Sequence, residues 1–313
     1  MIGLGLASSH APVMFRPIER WPIVYKALTG NVPQPLTAAD ETPQAMAQYA
    51  ARNDAAFAAL KAQLDRYQPD AILVVGDDQG SIFPSSLVPQ FFIYTGERIG
   101  GGTRLTFYDE DPTQGQVSLH CHRELSEFLA AALTAAGFDI TRGSEVLPPE
   151  QGLLKELGPH AVIHPMQKLM PDFDIPVIPF FVNAYFPPCP SGHRCYDIGR
   201  AVTRALQDRP ERVAIYASGG LSHDPLGPRA GWIDSKLDRW VLDKLARGDG
   251  AALKTLFDAE SDNLSGGTGE IRQWIIAAGA CEAMGAKATI VDYMAVHHGV
   301  TGLGYAYWGI DGP

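Results

Sequence analysis

The chain has 313 residues, 46% of them hydrophobic and 19% charged, with 32 Gly and 24 Pro. That balance is globular and turn-rich, and a chain of this length buries enough surface to need no disulfides. The 35 acidic against 25 basic residues leave a net charge of −10, a field that repels phosphate backbones and anionic lipid and so excludes nucleic acid and membrane surfaces as first partners. No apolar run approaches the ~20 residues of a membrane span, and Met1 to Ala7 lack the basic n-region of a signal peptide. Cys121, Cys189, Cys195 and Cys281 form no CxxC pair. Reduced thiols and a cytoplasmic location are expected.

Ile2 to Ala7 reads as a short apolar strand. Met46, Tyr49, Phe57, Leu60, Leu64 and Tyr67 then fall on one helical face, with Thr42-Pro43 as cap and first turn. Residues 70–76 are apolar and β-branched, the pattern of a strand buried on both faces. Further strands are expected at 90–94, 138–142, 175–182, 212–217, 289–293 and 303–308, and further helices at 118–136, 195–207, 233–247 and 268–284. The alternation predicts an α/β fold: a single layered domain over residues 1–313, with a central, largely parallel or mixed sheet flanked by helices. Residues 20–42 and 95–117 carry Gly, Pro and Thr and read as long loops, which in a compact domain often form sites.

Ligands of open α/β sheets gather at the carboxyl ends of strands. The first strand runs into Ser8-Ser9-His10, the second into Asp77-Asp78-Gln79, and the 212–217 strand into Gly219-Gly220-Leu221-Ser222-His223. Glu270 opens the helix after Gly266-Gly267-Thr268-Gly269, where a carboxylate also favours the helix dipole. That Gly-rich lead-in lacks the Lys of a nucleotide-binding loop. His160 and His164 have i, i+4 spacing, but Pro159 and Pro165 bracket them, so they are not expected to share one helical face; His164 reads as a cap for a helix that Pro165 begins. His120 and His122 read as solvated or capping residues at a helix start.

At His10, His160, His223 and Glu270 the chain resembles the catalytic (beta) subunit of class III extradiol ring-cleaving dioxygenases, the group of protocatechuate 4,5-dioxygenase. Ala7-Ser8-Ser9-His10-Ala11-Pro12 is similar to the family's S-S-H-x-P, and His160 to Met166 to its H-x-x-x-x-P-[LM]. Val177 to Asn183 and Pro190-Ser191-Gly192-His193-Arg194-Cys195 match a strand and the turn after it. Gly219 to His223 followed by Gly227-Pro228-Arg229-Ala230-Gly231 is the most specific match. Gly269-Glu270 with Trp274 matches the segment that supplies a carboxylate ligand. Gln79 departs from the pattern: it stands where the family's N-D-H places a second metal-binding His. Gly299-Val300 likewise replaces S-N before the last strand.

The resemblance implies a non-haem Fe(II) enzyme that cleaves a catechol-like, gallate-like or related hydroxylated aromatic with O2. His223 would be the acid/base catalyst and His160 a residue of the pocket. His10 and Glu270 would be metal ligands. Gln79 or a neighbouring carboxylate, Asp78 or Asp77, would complete an oxygen-richer set, which leaves Mn(II) or no metal as alternatives. Arg229, Ser222 and Thr301 would contact substrate. A substrate carboxylate would need a cation, from Arg16, Arg98, Arg104 or Arg229. A homo-oligomer or a separate small alpha-type subunit is expected. The competing readings are a hydrolase, decarboxylase or tautomerase on the same scaffold, and a non-catalytic partner subunit.

Overall fold

The computed structural model describes residues 1–84, 86–146, 156 and 158–309. Among these residues eight strands form one sheet: β1 (Ile2–Ser8), β2 (Ala71–Asp77), β3 (Phe91–Tyr94), β6 (Ile140–Gly143), β7 (Val177–Val182), β8 (Val213–Ser218), β9 (Thr289–Val296) and β10 (Thr301–Gly309). Their order is β6-β3-β7-β2-β8-β1-β10-β9. The four central strands, β7, β2, β8 and β1, are mutually parallel. β10 is antiparallel to β1, β9 to β10, and β3 to β7, so the sheet is mixed.

Both faces of the sheet are covered, because the central strands turn apolar side chains to both sides until their polar last residues, Ser8, Asp77 and Ser218. In β2, Leu73 and Val75 join one core while Ile72 and Val74 join the other. The first core packs under α3 (Arg123–Ala135), α5 (Gly192–Leu206), α6 (Ser235–Ala246) and α7 (Ile271–Glu282). The second packs under α1 (Trp21–Thr29), α2 (Pro43–Tyr67) and α4 (His160–Leu169). α2 starts as expected: Thr42 Oγ1 accepts from the Ala45 N–H at 3.3 Å, and Pro43 occupies the first turn, where its missing N–H loses no bond. No helix among the described residues is long and apolar enough to cross a membrane.

Four expectations change. Residues 20–42 hold α1, whose Trp21, Val24 and Leu28 form a buried stripe. Residues 95–117 hold β4 (Arg98–Gly102), which pairs with β5 (Gln116–His120) as a separate hairpin. There a Cβ on Gly100 would lie 2.5 Å from the Val117 carbonyl oxygen, so the close pairing requires glycine. The helix expected over 118–136 therefore begins only at Arg123, capped by His122, whose Nδ1 accepts from the Leu125 N–H. Finally, α4 starts at His160 and runs through Pro165. Eight of its ten residues are buried. At roughly 1.5–3 kcal/mol per large apolar side chain, that burial outweighs the ~3 kcal/mol of an internal proline.

Candidate active site

The carboxyl ends of β1, β2 and β8 bring His10, Asp77, Gln79 and His223 to one place. A 3-10 turn over Gly266–Glu270 delivers Glu270 to the same place as it leads into α7. Glu270 is the hub of the cluster. Its Oε2 accepts from the Gly220 N–H at 2.5 Å, and its Oε1 accepts from Gln79 Nε2 and Tyr185 Oη, each at 2.9 Å. His223 Nε2 lies 3.2 Å from Oε1. Gly220 has to be glycine here, since a Cβ would sit 2.7 Å from the His223 ring. Burial raises the Glu270 pKa, but the neighbouring histidines and these donors outweigh it and hold the group at about 2. Burial likewise pushes His223 down, and the charge of Glu270 overrides it, so the His223 pKa is raised.

His10, Asp77 and Glu270 offer three donor atoms that lie within 4.8 Å of one another. His10 Nε2 is 3.8 Å from Asp77 Oδ1 and 3.9 Å from Glu270 Oε2, while its Nδ1 is oriented by Ser218 Oγ at 3.1 Å. Both Asp77 oxygens are buried and have no hydrogen-bond partner among the described residues. An unpaired buried carboxylate is costly. Burial and then the Glu270 charge raise its pKa far above the carboxylate range. Burial keeps His10 neutral by lowering its pKa, the form a metal ligand requires. Gln273 steadies both carboxylate residues: with its amide turned to satisfy both ends, its nitrogen faces the Glu270 carbonyl and its oxygen accepts from the Asp77 N–H at 3.3 Å. The set fits a divalent cation, because two carboxylates, a neutral imidazole and an orphaned pair of oxygens converge.

Beside this cluster is a cavity of about 270 Å³. His10, His160 and His164 follow one another along it, with ring centroids 5.1 and 6.1 Å apart. His160 and His164 thus do share a helix. Burial lowers His160 to about 3 and His164 well below its usual value, so both are neutral. The rest of the wall is largely apolar, from Leu28 of α1, Leu105, Tyr108, Phe186, Pro225 and Leu226. Both stretches read as site-forming loops contribute to it.

Not every candidate faces the cavity. Asp78, named as a ligand, turns back into its own loop: Oδ1 accepts from the Ser81 and Ile82 N–H groups and Ser81 Oγ, and Oδ2 from the Phe83 N–H. Asp77 takes its place beside His10. Gln79 lines the cavity, but its amide nitrogen serves Glu270. Ser222 and Arg229 lie on a neighbouring surface depression instead. Ser222 is tied to Asp238 and Arg229 to Asp224 and Ser265, because the loop after β8 needs these bonds to hold its turn. Thr301 does line the cavity. Tyr185 was missed, although it is a polar residue just after β7 and the strand-end rule reaches it. Of the four arginines proposed for a substrate carboxylate, Arg16 alone reaches the wall.

Over 168 residues the chain is 32% identical to a gallate dioxygenase of Pseudomonas putida, a match covering 52% of this chain and 46% of that protein. It is 26% identical over 187 residues to the 2,3-dihydroxyphenylpropionate/2,3-dihydroxicinnamic acid 1,2-dioxygenase of Photorhabdus laumondii, covering 59% and 53%. The enzyme of that name from Paraburkholderia xenovorans matches at 25% over 281 residues, covering 75% and 83%. The chain thus spans about half the length of the first two relatives. The crystal structure of an uncharacterized protein from Escherichia coli K12 shares the fold, with a TM-score of 0.54 at 17% identity over 98% of this chain and 100% of that one. Residues 31–307 match the family described as the catalytic LigB subunit of aromatic ring-opening dioxygenase. With most of its length inside that match, the chain belongs to the LigB family of aromatic ring-opening dioxygenase subunits.

Proposed function

We propose that this protein opens the ring of an aromatic with two adjacent hydroxyls, using O2 at a single non-haem Fe(II) held by His10, Asp77 and Glu270. The observation that carries the reading is the unpartnered, buried Asp77 carboxylate beside His10 and Glu270, at the edge of a cavity that His223 also lines. The chemistry that Fe(II) supplies when bound is electron transfer between diol and O2 and polarisation of the diol oxygens.

The chain's own residues handle protons, position and water. His223 Nδ1 meets the Leu221 carbonyl at 2.8 Å, and a proton on that nitrogen is donated there. Nε2 is left as the atom that takes a proton, beside the Glu270 charge that raises its basicity. His223 accordingly accepts a hydroxyl proton from the diol, holds it at Nε2 and returns it to an oxygen of the opened product. Tyr185 Oη, 3.3 Å from Nε2, keeps the imidazole in place. Neutral His160 is available to a substrate oxygen, and the apolar wall excludes water.

The test is anaerobic Fe(II) titration with metal analysis, followed by O2 uptake on a panel of vicinal diols. One bound metal per chain and diol-dependent O2 consumption are expected. A protein that binds no divalent metal at millimolar concentration, or that consumes no O2 with any diol, overturns the reading.

A further inference from the structure

We propose that the cavity selects vicinal diols whose ring substituent is uncharged and apolar, and discriminates against those carrying a carboxylate. The inference rests on the ring-opening reading and names the substrate class of that same site. A carboxylate taken into a dry cavity must find a cation or stay unpaired, and the unpaired state is unfavourable. Among the described residues, Arg16 is the only Lys or Arg on the cavity wall.

That guanidinium is already committed. Nε and Nη2 form a two-pronged pair with Glu110 at 2.8 and 2.7 Å. Nη2 also donates to the Thr103 carbonyl at 3.0 Å, and Nη1 to the Pro12 carbonyl at 2.9 Å. The side chains of Arg16 and Glu110 are 1% and 4% exposed, so the Arg16 charge is paired inside the protein, with Glu110 also meeting the more exposed Arg104 at 3.4 Å. The Tyr108 ring covers the guanidinium, with its centroid 4.9 Å from Cζ. The nearby His164 is neutral and offers no second cation. At the other end, Asp77 and Glu270 add two negative charges, which a divalent metal balances without excess. What the cavity does offer a substituent is Leu28, Leu105, Phe186, Pro225 and Leu226. Each methylene buried against such a wall is worth about fourfold in binding.

The experiment compares a dihydroxyphenylpropionate with the matching propylcatechol, which differ only in the terminal carboxylate. Dissociation constants are measured anaerobically by calorimetry on the Fe(II)-loaded protein, and kcat/KM by O2 uptake. The propylcatechol should be favoured by about tenfold or more in both quantities, the scale of one unpaired buried charge. Glu110→Gln, which leaves Arg16 without its counter-charge, should shift the ratio toward the acid by about tenfold. Equal or tighter binding of the acid by the wild type overturns the inference whether or not the variant folds. A binding preference for the propylcatechol without any O2 consumption supports the inference and overturns the ring-opening reading. Consumption of both diols with the acid preferred does the reverse. If neither diol binds, both readings fall.

Discussion

On the proposed mechanism, replacing His223 with Ala takes away the proton carrier and leaves the proposed metal donors in place. Turnover should fall by about 10²-fold or more, the usual scale for general acid/base groups, while metal analysis still finds one ion per chain. Unchanged turnover would rule out the proton-transfer role. Asp77 behaves in the opposite way. Asp77→Asn removes a buried carboxylate that faces Glu270 and has no partner of its own. Without metal the variant should melt at a higher temperature than wild type, and its divalent-metal affinity should drop by about 100-fold, since a neutral amide replaces a charged ligand. A variant that keeps wild-type metal affinity would remove Asp77 from the ligand set. His10, His223 and Glu270 were legible in the sequence, because they follow strand ends or a Gly-rich turn. The choice between Asp77 and Asp78 depended on strand parity. Asp77 shares a face with Leu73 and Val75, the face that packs under α7 and so under Glu270. Asp78 was free to turn and cap its own loop.

The loop that carries His223 is gripped from α6. Asp238, in the first turn of that helix, accepts from the Ser222 N–H at 2.7 Å and Ser222 Oγ at 2.9 Å, and from Tyr293 Oη at 2.7 Å. Burial raises its pKa to about 6, against the lowering effect of these hydrogen bonds. A raised acid pKa means that the folded state holds the proton more tightly than the unfolded one. Stability from this residue is therefore greatest below the unfolded carboxylate range and declines as pH rises from about 4 to about 6. Asp238→Asn should abolish that decline. Denaturant titrations should show wild type losing on the order of 2 kcal/mol relative to the variant across that window. Parallel pH profiles would refute it. At this scale the buried strands and the amphipathic helices were readable from periodicity. The hairpin of β4 and β5 was not, because its glycines mimic a loop. α4 was not either, because prolines at both its start and its middle signal a break that tertiary burial overrides.

Across the whole molecule, layers were legible and neighbours were not. Alternating apolar runs announce a covered sheet, yet no local pattern states that β8 lies between β1 and β2. That order is what sets His10 beside His223 and both beside Asp77, since parallel neighbours end at the same edge. The site thus has two origins. The proposed metal donors stand at strand ends and at the foot of α7, locked to the sheet. Much of its wall comes from α1, the loop joining β4 to β5 and the loops after β7 and β8, which lie outside the ladder. Substitutions at Leu28, Leu105 or Phe186 can reshape what the cavity accepts while the strands that aim the donors stay in register. The fold therefore lets the shape of the cavity drift while the cluster at the strand ends stays where the sheet puts it.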